Sequence, residues 1–361
     1  MKKKPDIIYV LLTFLLLISG IIMIFSASPA LAIKQGDSFY YLKKHLFYVV
    51  LGVFAFNFAL NAEIKKLSKY SLHLFVASIF LLLLIFVPGV GKTMGGASRW
   101  LDFYFFSFQP SELAKITVII LLASILSKQK ENIKDFSKGL LPALLLVGLV
   151  MGIIIKQPDM GTALSIAGTS LLMFFIAGAK IMHLGSLALL GAISILILSI
   201  TSPYRLRRML AYLNPWNDPL NVGFQIIQSL LAVGSGGIYG LGLGNSRQKF
   251  FYLPQQYADF IFAILCEELG LIGASILLII FIGFFARGIK IAREARDYFS
   301  QLLAYGITFM FAVQTFMNLF VVVGLIPTTG IPLPFISYGG TAVVINLFAA
   351  GLVANISRAS K

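Results

Sequence analysis

Apolar runs long enough to cross a hydrocarbon core, about 17 residues or more, recur along the whole length of this 361-residue chain. A soluble fold has no use for so many. Hydrophobic residues make up 58% of the sequence and charged residues only 12%, about half the charged fraction of a soluble globular domain. The chain therefore reads as an all-α polytopic membrane protein, a single integral membrane domain over 1–361.

Ten transmembrane helices are expected, at about 7–26, 46–62, 71–88, 112–127, 139–155, 162–178, 185–201, 260–284, 300–323 and 338–357. An even number puts both termini on one side. Lys2, Lys3, Lys4, Lys65, Lys66, Lys69, Lys128, Lys130, Lys134, Lys138, Lys180, Arg287, Lys290, Arg293, Arg296, Arg358 and Lys361 all fall in the short segments of that side. They are 17 of the 29 basic residues, so N and C termini are cytoplasmic by the positive-inside rule. The start resembles a signal peptide, with Ala30-Leu31-Ala32 after an apolar stretch. Its run from Ile7 to Phe25 exceeds the roughly 7–15 residues of a cleaved core, and it is read as an uncleaved first helix.

The net charge of +15 could serve a nucleic-acid partner, but the basic residues are scattered between apolar runs, which excludes that class. Cys266 is the single cysteine and rules out an internal disulfide. His45, His73 and His183 are isolated, and no His/Cys metal cluster, Walker loop or serine triad appears. No internal repeat supports an inverted-repeat transporter.

The unusual material lies on the outer face, in long loops after spans 3 and 7, at about 89–111 and 202–258. Long ordered loops on a rigid scaffold usually carry function. Within the second, Phe224 to Val233 is short and apolar, as in a re-entrant or interfacial helix.

Ionisable residues in or beside spans are the candidates for chemistry. Asp259 opens the eighth span. It suits either a helix N-terminal acid, favoured by the dipole, or a half-desolvated general base. Glu112 and Lys115 are three apart on one helix face; they form a mutual ion pair, or Lys115 meets an anionic head group with Glu112 orienting it. Asp159 caps the sixth span or faces substrate. Arg99 and Trp100 are belt residues or substrate contacts. Arg205, Arg207, Arg208, Arg247 and Lys249 make the second loop basic, for solubility or for phosphate, which Arg forks fit well. Glu267 and Glu268 lie about 12–14 Å deeper than Asp259 along the helix, as structural groups or in a deep polar cavity.

Several motifs then resemble the SEDS family of bacterial peptidoglycan polymerases. Gly234 to Gly237 reads GSGG, Gly240 to Lys249 reads GLGLGNSRQK, and YLP follows at Tyr252. These run into Ala258-Asp259 and Glu267-Glu268-Leu269-Gly270. Gly324 to Thr341 reads GLIPTTGIPLPFISYGGT, while QPSELAK starts at Gln109 and QPDMGT at Gln157. The resemblance covers nearly the whole chain and leans to the division branch, the FtsW type, or its sporulation relative more than to the elongation branch. Where the family has an acidic residue and a His-Thr pair, this chain has Gln255, Tyr257 and Ala258.

The resemblance implies an inverting glycosyltransferase that polymerises lipid II into glycan strands at the outer face of the cytoplasmic membrane during division. It makes Asp259 the catalytic base and gives Arg99, Trp100, Glu112, Lys115, Asp159, Arg205, Arg247, Lys249 and Ser337 to substrate binding. One carboxylate base and cationic stabilisation of the leaving diphosphate suffice for inversion, unlike hydrolases that need two carboxylates. No cofactor is required, though a divalent cation, Mg2+ or Mn2+, is compatible with the chemistry. The expected partners are lipid II, the single membrane helix of a class B penicillin-binding protein that would cross-link the product, and other division proteins. The competing classes are a lipid II translocator and a noncatalytic scaffold for a penicillin-binding protein.

Overall fold

The computed structural model describes residues 4–33, 36–94, 97–102, 107–201, 203–249 and 257–359. Each expected span falls on a helix: α1 (Ile7–Ala27), α2 (Tyr40–Asn61), α3 (Ser71–Leu84), α4 (Pro110–Lys128), α5 (Leu141–Lys156), α6 (Met160–Ile176), α7 (Ile181–Ile200), α10 (Ile261–Glu294), α11 (Tyr298–Val322) and α12 (Gly340–Ser357). All but α3 and α6 are long and apolar enough to cross a membrane, α5 together with the turn that leads into it. The chain is a multi-pass membrane protein.

Local chemistry starts these helices where the sequence places them. Asp6, Asp159 and Asp297 each accept a backbone N–H from the first turn of α1, α6 and α11, removing a donor that a helix start leaves orphaned. Pro110 opens α4, where its missing N–H is harmless.

The ends of the chain meet: Asp6 N donates to Ser357 Oγ at 2.9 Å, so both termini lie at one end of the bundle. Arg287 clasps Asp6 there, at 2.7 Å. At the opposite end of the same two helices, Ser26 Oγ donates to Glu268 Oε2 at 2.6 Å. The two contacts are about 30 Å apart along α1, which matches the hydrocarbon thickness.

Helices α4 and α12 are buried nearly all round and form the centre of the bundle. By contrast, α7 buries Ser199 alone and stands at the periphery.

The two long loops are more structured than the sequence suggested. In the first, β1 (Gly91–Met94), β2 (Ala97–Asp102) and β3 (Ser107–Phe108) form a small antiparallel sheet in the order β1-β2-β3. It pairs Lys92 with Trp100 and Leu101 with Phe108. The second contains α8 (Pro203–Leu213) and α9 (Phe224–Ser235). The α9 segment is the short apolar helix expected there; Ser229 Oγ on it donates to Val322 O at 2.8 Å, fastening it to the end of α11.

One span departs from expectation. The eighth is broken at Gly270, whose φ of 64 and ψ of -165 lie outside any helix. The glycine-rich segment after α9 fills the break. Leu241 N and Gly242 N donate to Glu267 O and Glu268 O (3.0 and 2.9 Å), while Leu271 N and Ile272 N donate to Gly237 O and Ile238 O (2.9 and 3.2 Å). Interrupted backbone at membrane depth survives only where protein re-satisfies it, and this loop does so.

Candidate active site

Asp259 lies in the turn before α10, half-buried. It lines an open cavity of about 90 Å³ together with Arg208, Gln225, Thr328, Thr329 and Gly330. Three segments distant in sequence build it: α8 brings Arg208, α9 brings Gln225, and the loop after α11 brings Thr328 to Gly330. Arg208 Nη1 donates to Thr328 O at 3.2 Å and Tyr212 Oη to Leu325 O at 2.9 Å, so α8 is docked on that loop. A Cβ on Gly330 would sit 3.6 Å from Asp259 Oδ2, which places the carboxylate beside that glycine.

Burial pushes the Asp259 carboxyl up to about 6; the Arg208 and Arg99 charges oppose this, and the Asp159 charge adds to it. Near neutral pH the group is ionised, yet basic enough to take a proton.

Arg99 stands close by. Its guanidinium donates to the carbonyls of Gln157 (3.3 Å) and Pro158, tying β2 to the turn before α6. That turn holds Asp159, buried and committed to Thr162 N (3.2 Å) and Thr162 Oγ1 (2.9 Å). The structure thus brings Arg99, Asp159, Arg208 and Asp259 within electrostatic reach. Trp100 is half-buried in β2.

Glu112 and Lys115 form the expected pair at 2.9 Å, fully buried in α4. Lys115 Nζ also donates to Gln314 Oε1 at 3.1 Å. They lie inside the bundle and do not line the Asp259 cavity.

Two expected substrate contacts are bonded inside the protein, and a third falls outside the described residues. Lys249 is buried and turned inward: its Nζ donates to Gly244 O and to Glu268 Oε1 at 3.2 Å. A buried ammonium needs a carboxylate partner, and Glu268 supplies it. Ser337 is likewise buried, its hydroxyl donating to Ala258 O at 2.6 Å and accepting from Leu333 N at 2.8 Å; it holds backbone on both sides. The Arg205 side chain, with residues 250–256, is outside the described residues. Arg247 is exposed, and its N–H donates to Glu267 Oε1 at 2.9 Å.

Sequence reasoning missed Gln225, Thr329 and the Asn318 amide as site residues. The first two arrive from segments with no ionisable group to mark them. Asn318 had a signal: Gln314 and Asn318 are amides four apart on one face of an apolar span.

The sequence model of the FtsW, RodA and SpoVE family, described as a cell cycle protein, matches residues 6–361. Stage V sporulation protein E of Bacillus subtilis is 47% identical over 361 residues, covering 100% of this chain and 99% of its own. A probable peptidoglycan glycosyltransferase FtsW of Geobacter metallireducens is 43% identical over 360 residues, covering 99% and 96%. Among solved structures, a peptidoglycan synthase complex that coordinates polymerization and crosslinking matches with a TM-score of 0.79 at 27% identity, over 98% of each chain. The rod shape determining protein RodA of Thermus thermophilus matches with a TM-score of 0.74 at 26% identity, over 98% and 97%. With the whole length matched and the same fold in solved relatives, the chain belongs to the FtsW, RodA and SpoVE family.

Proposed function

We infer that this protein is a peptidoglycan glycosyltransferase of the cytoplasmic membrane, polymerising lipid II into glycan strands for the septal wall. The observation that carries the reading is Asp259: an ionisable carboxylate, raised toward neutrality, in an open cavity whose other wall holds Arg208.

In the proposed reaction Asp259 accepts the proton of the acceptor sugar's hydroxyl as that oxygen attacks the donor's anomeric carbon. The bond from that carbon to the diphosphate breaks with inversion. Arg208 stabilises the departing diphosphate, and Arg205 and Arg247 would add charge from the same basic loop. A divalent cation, Mg2+ or Mn2+, would act on the diphosphate by neutralising its charge. Cross-linking of the strand falls to a partner, a class B penicillin-binding protein with a single membrane helix. The likeness to a synthase complex supports that pairing.

A translocator needs a passage for a sugar head group. The cavity beside Lys115 measures about 10 Å³, room for about one water.

The test is glycan polymer formed from lipid II by Asp259→Asn protein with its partner present. General-base catalysis contributes about 10²–10⁴ in rate, so polymerisation should fall by that order while folding survives, since Asn keeps the side chain's shape and Asp259 does not cap α10. Near-normal polymer would falsify the base assignment.

A further inference from the structure

Asn318 sits on α11, four residues from its end at Val322, and is almost completely buried. Its Nδ2 donates to two carbonyls of residues that line the Asp259 cavity from different segments of the chain: Asp259 O at 2.7 Å and Ile331 O at 2.8 Å. Two carbonyl acceptors leave no doubt which end of the amide is nitrogen. The reverse placement would set oxygen against oxygen.

We propose that Asn318 is a positioning residue for glycosyl transfer: one neutral amide joins the Asp259 turn to the Thr328 to Ile331 wall and fixes the separation between them. This rests on the reading of Asp259 as the base.

The backbone around Asp259 is held elsewhere too. Tyr338 N donates to Tyr257 O at 2.9 Å, and Ser337 Oγ donates to Ala258 O at 2.6 Å. Three successive carbonyls, 257 to 259, are thus gripped by three donors. Of the three donors, the Asn318 amide is the one that also holds Ile331 O, next to Gly330. The carboxylate branches from the same residue as the gripped carbonyl, and Gly330, beside that carboxylate, is one residue from the other gripped carbonyl. A shift of either wall changes the space in which acceptor oxygen, base and leaving group must align.

The choice of side chain follows from the donor inventory. A hydroxyl has one hydrogen to give and cannot hold both walls. A lysine could, but its charge beside Asp259 would lower the basicity the reaction needs. An amide nitrogen offers two hydrogens and no charge. Its Oδ1 has no partner among the described residues, so the amide is held by its donor side alone.

The experiment compares lipid II polymerisation by the purified chain with its transpeptidase partner for Asn318→Leu, Asn318→Ser, Thr315→Val and Asp259→Asn, over a range of lipid II concentrations. Asn318→Leu keeps the approximate volume and removes both donors; Asn318→Ser keeps one. Misplacing a reacting group by about 1 Å can cost about a hundredfold. Asn318→Leu should therefore lower kcat about tenfold or more, with KM for lipid II within about twofold. Asn318→Ser should fall between it and the unaltered protein. Thr315, buried on the same helix with a hydroxyl that has no partner among the described residues, controls for packing: Thr315→Val should leave kcat unchanged. Unaltered kcat in Asn318→Leu overturns the proposal, as does an equal loss in Thr315→Val. If Asn318→Leu does not fold, Asn318→Ser decides, and a kcat equal to that of the unaltered protein overturns it. Asp259→Asn separates the two readings. Its activity surviving defeats the base assignment itself, whereas its loss beside active Asn318 variants defeats only the positioning role.

Discussion

Lys115 and Glu112 show what burial does to a charge at a single position. Both are sealed in α4 at 2.9 Å from one another, and Gln314 takes a second ammonium hydrogen. Removing one partner from a buried pair typically costs about 3–5 kcal/mol, because the other charge is left uncompensated. Lys115→Ala should lower the unfolding midpoint in detergent strongly, and Lys115→Ala with Glu112→Ala should recover part of the loss. The pair was legible from its spacing of three, whereas Gln314, 199 residues away, was not. Asp259 yields a pH test. With its pKa near 6, polymerisation should rise about tenfold per unit up to pH 6 and level off above. A rate flat between pH 5 and 7 counts against the assignment. Since folding raises this carboxyl from 3.8, its stability contribution is complete below pH 3.8 and is lost as the pH rises through 6.

At the level of elements, α10 was the least legible. Residues 260–284 read as one apolar run, and hydropathy has no signature for a helix that is cut and re-joined by another segment. Only the glycines hinted at it: GSGG and GLGLG before the span, Gly270 within it. The structure gives the reason. A Cβ on Gly270 would lie 2.5 Å from Ile238 O, and its backbone sits in a region essentially reserved for glycine. Gly270→Ala should therefore destabilise by about 1–3 kcal/mol or more, read as a lower unfolding midpoint and lost protection of residues 236–242 in hydrogen exchange. Gly283, on the same helix with only Leu12 side-chain atoms near, should tolerate the same change. The first loop had a similar blind spot: its sheet pairs strands of two to six residues, too short to register as alternation.

For the whole molecule, the order of the apolar helices and the common end of both termini were readable because each rests on a repeated signal, apolar length and lysine placement. What the active site gathers, Arg208, Gln225 and the Thr328 to Gly330 loop around Asp259, was not, since packing decides which outer segments meet. The expected topology puts the Asp6–Arg287 end in the cytoplasm. Cysteine labelling of intact cells, in a Cys266→Ala background, should reach Arg99→Cys from outside and Lys130→Cys only after permeabilisation; the reverse pattern would overturn it. The interrupted α10 also limits how relatives can exchange parts. Residues 236–242 and 267–272 complete one another's backbone hydrogen bonds, so they are a unit of inheritance despite the distance between them in the sequence. A chimera that swaps the loop for a relative's should work only when its junctions carry both segments together, and recombination between the two should yield chains that fail at the membrane.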